Sequence, residues 1–254
     1  MSWTAIVLAG SRPGRDAFAE QFGTDLKPLI PVAGEPMVRR PVRALLDSAS
    51  IGKILVVSQS PERIAAALPE DERIEVGASQ GTIAETIERL IIQRTVDFPL
   101  LVTTADHALL DPQMIAEFTA KAAGADLAVG VVEQRSLLQR LPQSKRTWIA
   151  FRGGAYSGAN LFALGSLKAL AAIEQWRSVE QDRKKGWRVL SALGPSLLLG
   201  AALRLRTLDQ SVSAMGSQLG MTARAIVLSN PLAAVDVDKP VDHALVEAIL
   251  AEKA

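Results

Sequence analysis

Three short apolar runs set the limits on what this chain can become. Residues 5–9 read AIVLA, residues 53–58 read KILVVS and residues 99–104 read PLLVTT. Each is continuous rather than alternating and is bounded by turn residues. Such runs are strands covered on both faces, the pattern of a parallel sheet with helices on either side. The segments between them carry a helical period. Apolar residues fall at 38, 42, 45, 46 and 49, and again at 83, 84, 87, 90 and 91, which predicts helices over 38–49 and 83–92. Strand alternating with helix implies an α/β class: a doubly wound, mostly parallel, Rossmann-like sheet.

The remainder is less regular. A fourth strand is expected over 126–132, then strands over 147–151 and 159–164 around a Gly-Gly turn at 153–154. Helices are expected over 167–181, 211–219 and 242–252, a helix pair over 189–205 broken near Gly194 and Pro195, and a late strand over 225–228. With no repeat, low-complexity tract or Gly/Ser linker, one domain over 1–254 fits better than two.

Composition removes several classes of function. Lys and Arg total 28 against 27 Asp and Glu, a balance that argues against a bulk nucleic-acid binder. The absence of cysteine excludes disulfides, thiolate metal sites and a cysteine nucleophile. Two histidines, His107 and His243, are too few for a multi-histidine metal site, so a divalent cation would sit on oxygen, which suits magnesium. The first residues lack a secretory pattern, and the longest uncharged stretch, 189–203, is interrupted by Pro195 and shorter than the roughly 20 residues of a bilayer span. A soluble, cytoplasmic protein is expected.

In an open parallel sheet, ligands bind beyond the carboxyl ends of the strands. After the first strand comes Gly10-Ser11-Arg12-Pro13-Gly14-Arg15, and after the third comes Ala105-Asp106-His107. The first loop is neither a dinucleotide fingerprint nor a P-loop. Its small residues let backbone N–H groups approach phosphate oxygens, and Arg12 and Arg15 offer bidentate contacts. Each residue also has a plainer reading: Asp106 as a helix cap (a role Asp111 before Pro112 fills better), Asp236 and Asp238 as turn residues before Pro240, Lys27 as a solvated lysine.

Five motifs shift that balance. LAG at 8–10 is followed by KPLIPVAGEPM at 27–37, SQGT at 79–82, TAD at 104–106 and DVDKPVD at 236–242. Together they resemble the sugar-phosphate and molybdopterin-type nucleotidyltransferases, which have a glycosyltransferase-A-like fold. The resemblance covers roughly 3–110 and 225–250; the middle of the chain matches only in general form. It implies a magnesium-dependent transfer of a nucleotidyl group from a nucleoside triphosphate to a phosphorylated small molecule, with release of pyrophosphate. It divides the chain into a nucleotide-binding half at 1–130, an acceptor region at 131–224 and a closing segment at 225–254.

By the same resemblance, Asp106 and Asp238 hold magnesium, with Asp236 competing as the second ligand. Lys27 faces the transferring phosphoryl group or the pyrophosphate, and Arg15, with Arg12 in reserve, the β- and γ-phosphates. The backbone of Leu8, Ala9, Gly10 and Ser11 and the turn Gln80-Gly81-Thr82 hold the nucleoside. Ser157, Gly158 and Asn160 face acceptor hydroxyls, while Arg152 or Lys145 meets its phosphate. The alternative is a polar hairpin with a solvated basic edge. CTP is slightly favoured as donor, with a polyol or amino-alcohol phosphate as acceptor. GTP and a cofactor precursor of molybdopterin or cobinamide-phosphate type come second, UTP and a sugar 1-phosphate third. Two other classes stay open: a non-catalytic nucleotide sensor or scaffold, and a glycosyltransferase. The latter would carry Asp-x-Asp where this chain has Thr104-Ala105-Asp106. Basic residues Lys184, Lys185, Arg188, Arg204 and Arg206 flank 189–203, a pattern that fits a core or dimer helix, or contact with an anionic membrane surface. The oligomeric state is open.

Overall fold

The computed structural model describes residues 2–11, 14–181 and 205–252. Its strands are β1 (Trp3–Leu8), β2 (Pro31–Val32), β3 (Glu35–Pro36), β4 (Ile51–Ser58), β5 (Ile74–Ala78), β6 (Leu100–Thr104), β7 (Leu127–Glu133), β8 (Ile149–Phe151), β9 (Gly154–Leu164) and β10 (Ala223–Val227). The main sheet runs in the order β10-β7-β9-β6-β1-β4-β5, with β8 pairing onto β9, while β2 and β3 form a separate small ladder. Neighbours pair in parallel except at β9, which runs antiparallel to β6, β7 and β8. The expected α/β, mostly parallel sheet is therefore what the chain forms.

Side-chain alternation explains the layers. On one face Ala5, Val7, Ile54, Val56 and Leu101 meet Val42 and Leu45 of helix Arg39–Leu46, Met114, Ile115 and Phe118 of helix Pro112–Ala122, and Val246 and Ile249 of helix Pro240–Ala251. On the other, Ile6, Leu55, Val57, Leu100 and Val102 meet Ala84, Ile87 and Ile91 of helix Ile83–Ile92 and Ile173 of helix Leu170–Gln181. Both faces are dry, as the continuous apolar runs require. Each fully buried Val, Leu or Ile stabilises the fold by about 1.5–3 kcal/mol.

The departures from expectation are at the margins and in the second half. Strand β5 escapes a sequence reading because it is a half-buried edge strand interrupted by Glu75 and Gly77. Helices Pro61–Ala67 and Gln134–Arg140 are also unannounced. Strand β9 begins at Gly154 rather than 159, because Phe151 pairs with Gly154 and Gly153 turns the hairpin at φ 98°. The expected helix pair over 189–205 and the basic residues Lys184, Lys185, Arg188 and Arg204 lie almost wholly outside the described residues. Among the described residues no helix is long and apolar enough to cross a membrane.

One irregularity positions the site. Val129 pairs with Phe162 but Val131 pairs with Gly158, so three residues of β9 oppose Gly130 alone. This is a bulge, which bends a strand and re-aims a side chain. Gly130 leaves room there: a Cβ on it would lie 3.0 Å from Leu161 Cβ and 3.3 Å from the Phe118 ring, tighter than most Cβ contacts. Within the bulge Asn160 adopts φ 48°, a left-handed conformation Asn tolerates better than most residues.

Candidate active site

Because the strands of the main sheet other than β9 run in one direction, their carboxyl ends share one rim. The loop after β1 is fixed by Gln59 at the end of β4: Ser11 N–H donates to Gln59 Oε1 at 3.0 Å, and Gln59 Nε2 donates to the Ser11 carbonyl at 3.2 Å. Ala9 N–H bonds the Val57 carbonyl and Ala105 N–H the Leu8 carbonyl. Gly10 lets the loop approach Gln59 closely, since a Cβ there would lie 3.0 Å from the Gln59 amide. Ser11 Oγ in turn accepts from Lys27 N–H at 3.2 Å, which docks the Lys-Pro-Leu turn Lys27–Leu29 against the first loop.

The centre of the rim is a three-residue cluster. Lys27 Nζ lies 2.6 Å from Asp106 Oδ2 and 2.6 Å from Asp238 Oδ1. The other oxygen of Asp106 accepts from Thr104 Oγ1 at 2.5 Å. The closing segment reaches Asp106 through its backbone, Val237 N–H donating to the Asp106 carbonyl at 3.0 Å. Residues separated by 79 and 211 positions in the chain thus meet at one ammonium. Burial by itself would lower the Lys27 pKa; Asp106, then Asp238, outweigh it and hold the ammonium above its ordinary value.

Asp236 has different partners. Arg146 Nη1 donates to its Oδ1 at 2.9 Å and Asn160 Nδ2 to its Oδ2 at 3.0 Å. Its carboxylate is engaged by Arg146 and Asn160 of the middle of the chain, and the DVD spacing sends its two acids to two different sets of partners. His107 is fully buried, with Nδ1 3.3 Å from Thr103 Oγ1 and Nε2 without a well-formed hydrogen bond. Burial pushes its pKa down to about 4, against the opposing pull of Asp106 and Asp236. Burial thus favours the neutral ring at pH 7.

The other expected residues are spread around this centre. Gln80, Gly81 and Thr82 form the turn from β5 into helix Ile83–Ile92; Thr86 Oγ1 bonds both the N–H and the carbonyl of Gln80, and Thr82 caps the helix in a reciprocal box with Glu85. Arg15 is 84% exposed and pairs with Glu20, so it stands apart from the Lys27 cluster. Arg12 lies outside the described residues. Ser157 and Gly158 are taken into the β7–β9 ladder opposite Val132 and Val131. Lys145 and Arg152 are exposed at the hairpin, where Arg152 N–H bonds the Arg206 carbonyl. Asp111 caps helix Pro112–Ala122 through Met114 N–H at 2.7 Å, which leaves Asp106 without that duty. His243 Nε2 lies 2.7 Å from the Pro31 carbonyl and ties the last helix to the small ladder.

Sequence reasoning passed over Gln59 and gave no role to Arg146. Gln59 could have been found, since it ends the second apolar run at the same rim. Two concavities of about 680 and 630 Å³ lie elsewhere, along the β10 edge and at the amino ends of β1 and β4; neither contains the Lys27 cluster. The rim is the stronger candidate because three charged groups from distant segments converge there.

Comparison with known proteins bears on the family. Residues 5–197 match the model of the MobA-like NTP transferase domain. The chain belongs to that family. It is a nucleotidyltransferase. A hypothetical transferase from Thermus thermophilus is 31% identical, superposes with a TM-score of 0.79, and aligns over 96% of this chain and 100% of its own. The fold is shared with 4-diphosphocytidyl-2C-methyl-D-erythritol synthase from Anaerococcus prevotii (12% identity, TM-score 0.63, 98% and 96% of the two chains). It is also shared with a CMP-2-keto-3-deoxy-manno-octonic acid synthetase complexed with CTP (13% identity, TM-score 0.58, 100% of both chains). No curated protein is significantly similar in sequence.

The cluster suits a hard cation. Among the described residues no three His, Cys, Asp or Glu side chains gather as a metal site. Two carboxylates converging on one positive charge are what magnesium uses when phosphate oxygens and water complete its octahedron.

Proposed function

We propose that this nucleotidyltransferase moves a cytidylyl group from CTP to a phosphorylated sugar, polyol or alcohol, with magnesium held by Asp106 and Asp238. The observation that carries the reading is the convergence of Lys27, Asp106 and Asp238 at the carboxyl rim of the sheet. Two of the proteins that share the fold are a diphosphocytidyl synthase and a synthetase bound to CTP, which supports cytidine over the other bases.

The reaction joins two anions. An oxygen of the acceptor's phosphate monoester attacks the α-phosphorus, a new P–O bond forms, and the bond to the bridging oxygen of the β-phosphate breaks to release pyrophosphate. The monoester is already ionised at pH 7, so no side chain need abstract a proton. Catalysis reduces to positioning and charge neutralisation. Bound magnesium would polarise the phosphate oxygens and carry charge that builds on the leaving group. Lys27 supplies a second positive charge at the same place. The backbone of 8–11, fixed by Gln59, and the turn 80–82, fixed by Thr86, cradle the nucleotide. Asp236, held by Arg146 and Asn160, orients the closing segment rather than the metal. Lys145 and Arg152 attract the acceptor's phosphate.

A pyrophosphate-release screen of four nucleoside triphosphates against phosphorylated sugars, polyols and amino alcohols tests the reading. CTP with one acceptor class should give turnover. A clear preference for GTP would move the enzyme to the guanylyl branch, and release with no triphosphate and acceptor pair would overturn the reading.

A further inference from the structure

Asp106 and Asp238 aim one oxygen each at a single point, and the Lys27 ammonium stands there, 2.6 Å from both. A magnesium ion shared by those oxygens would sit about 2.0–2.1 Å from each. Ion and ammonium therefore claim overlapping space. We propose that Lys27 is a displaceable counter-ion: it neutralises Asp106 and Asp238 in the metal-free enzyme, yields them when a divalent cation enters, and turns its ammonium onto the incoming triphosphate. This deepens the metal-assisted reading above and rests on it.

The parts are arranged for such an exchange. The Lys27 backbone is fixed by its bond to Ser11 Oγ and by the tight turn that follows, so only the flexible four-carbon stem must move. Thr104 Oγ1 holds the far oxygen of Asp106, and Val237 N–H holds its carbonyl, so that acid keeps its place when the lysine leaves. The charge changes with the exchange. Two carboxylates and one ammonium leave the cluster with one negative charge in excess, which repels a triphosphate. Adding a dication reverses the sign and frees the ammonium at the same moment. Cation and triphosphate then favour each other's binding, a reciprocal coupling that passes through Lys27.

The test needs no turnover. Mn²⁺ binding to the full-length, metal-free protein is measured without nucleotide, from the electron paramagnetic resonance of free Mn²⁺. Lys27→Met should bind Mn²⁺ at least about ten-fold more tightly than wild type, because the competing cation is gone. Adding Asp106→Asn to that variant should erase the gain. Equal affinity in wild type and Lys27→Met would overturn the proposal. A second readout uses wild type alone, in case the Met variant does not fold: acylation of the Lys27 amine, followed by peptide mass spectrometry, should quicken with excess Mg²⁺. An unchanged rate also overturns it. Failure of the pyrophosphate screen with exchange intact would remove the proposed reaction but not the counter-ion, and the converse result would do the opposite.

Discussion

The carboxyl rim of the sheet and the β8–β9 hairpin with its basic edge are built on opposite principles. At the rim, Lys27, Thr104, Asp106, Val237 and Asp238 are tied to one another by short bonds, and the first loop is clamped by Gln59. At the hairpin, Lys145 and Arg152 are exposed, and among the described residues neither has an ion pair. A rigid, pre-ordered rim suits a step that is the same for every substrate, stabilising charge as pyrophosphate leaves. An exposed basic edge suits the acceptor-phosphate contact proposed for it. Arg146 joins the two: it sits in the middle of the chain yet binds Asp236 of the closing motif.

If the contrast is sound, the largest loss falls at the rim. Asp106→Ala removes a carboxylate and leaves Lys27 with Asp238 alone, while the backbone carbonyl that accepts from Val237 N–H is kept. Turnover in the pyrophosphate assay should fall by about a thousand-fold or more. A variant keeping a tenth of wild-type activity would break the comparison at its strong end.

Next come His107 and the groups between the two regions. His107 is neutral in the native protein down to about pH 4, whereas an unfolded histidine protonates near 6.5. Its contribution is complete above pH 6.5 and is lost as pH falls toward 4, because only the unfolded chain gains the proton. Between pH 7.5 and pH 5 the wild type should lose about 2 kcal/mol more than His107→Gln, read from urea unfolding at each pH. Parallel profiles would show that the imidazole is not a buried neutral ring. Asp236→Ala leaves Arg146 and the Asn160 amide without their partner, at a cost of about 2 kcal/mol in stability. It should retain metal-dependent turnover, where Asp238→Ala does not. The reverse outcome would make Asp236 the ligand and exchange the roles of the two acids.

What could be read in the sequence follows the same division. The three apolar runs became β1, β4 and β6, and helix Ile83–Ile92 appears with the bounds its period predicts, because buried parallel strands and two-faced helices announce themselves in composition. Asp106 was legible from the strand-end rule, and Lys27 and Asp238 only through the motifs that carry the family resemblance. Their meeting through Val237 N–H was not, since backbone hydrogen bonds leave no trace in side-chain identity. Nor was the split between Asp236 and Asp238: that depends on the β9 bulge, which turns Asn160 toward Asp236, and a bulge is a mismatch of pairing between two strands that neither strand's sequence declares alone. Gly130→Ala tests that account. Its methyl would press on Leu161 and Phe118, and the variant should lose about 1–3 kcal/mol in urea unfolding, with a drop in turnover as Asn160 shifts.

The smallest effect belongs to the basic edge, and it sharpens the comparison most. Arg152→Ala removes an exposed charge whose described tie to the rest of the fold is a backbone N–H, which alanine keeps. Thermal stability should stay within about 0.5 kcal/mol of wild type, as for most surface substitutions. If the guanidinium meets the acceptor's phosphate, KM for the acceptor should rise about five- to ten-fold with kcat and the KM for triphosphate unchanged, the mark of lost uniform binding. Lys145→Ala should behave alike, and the two losses should add if each charge acts separately. An unchanged acceptor KM in both would assign the basic edge to solvent and move acceptor recognition inward, toward Arg146 and the buried side of the hairpin.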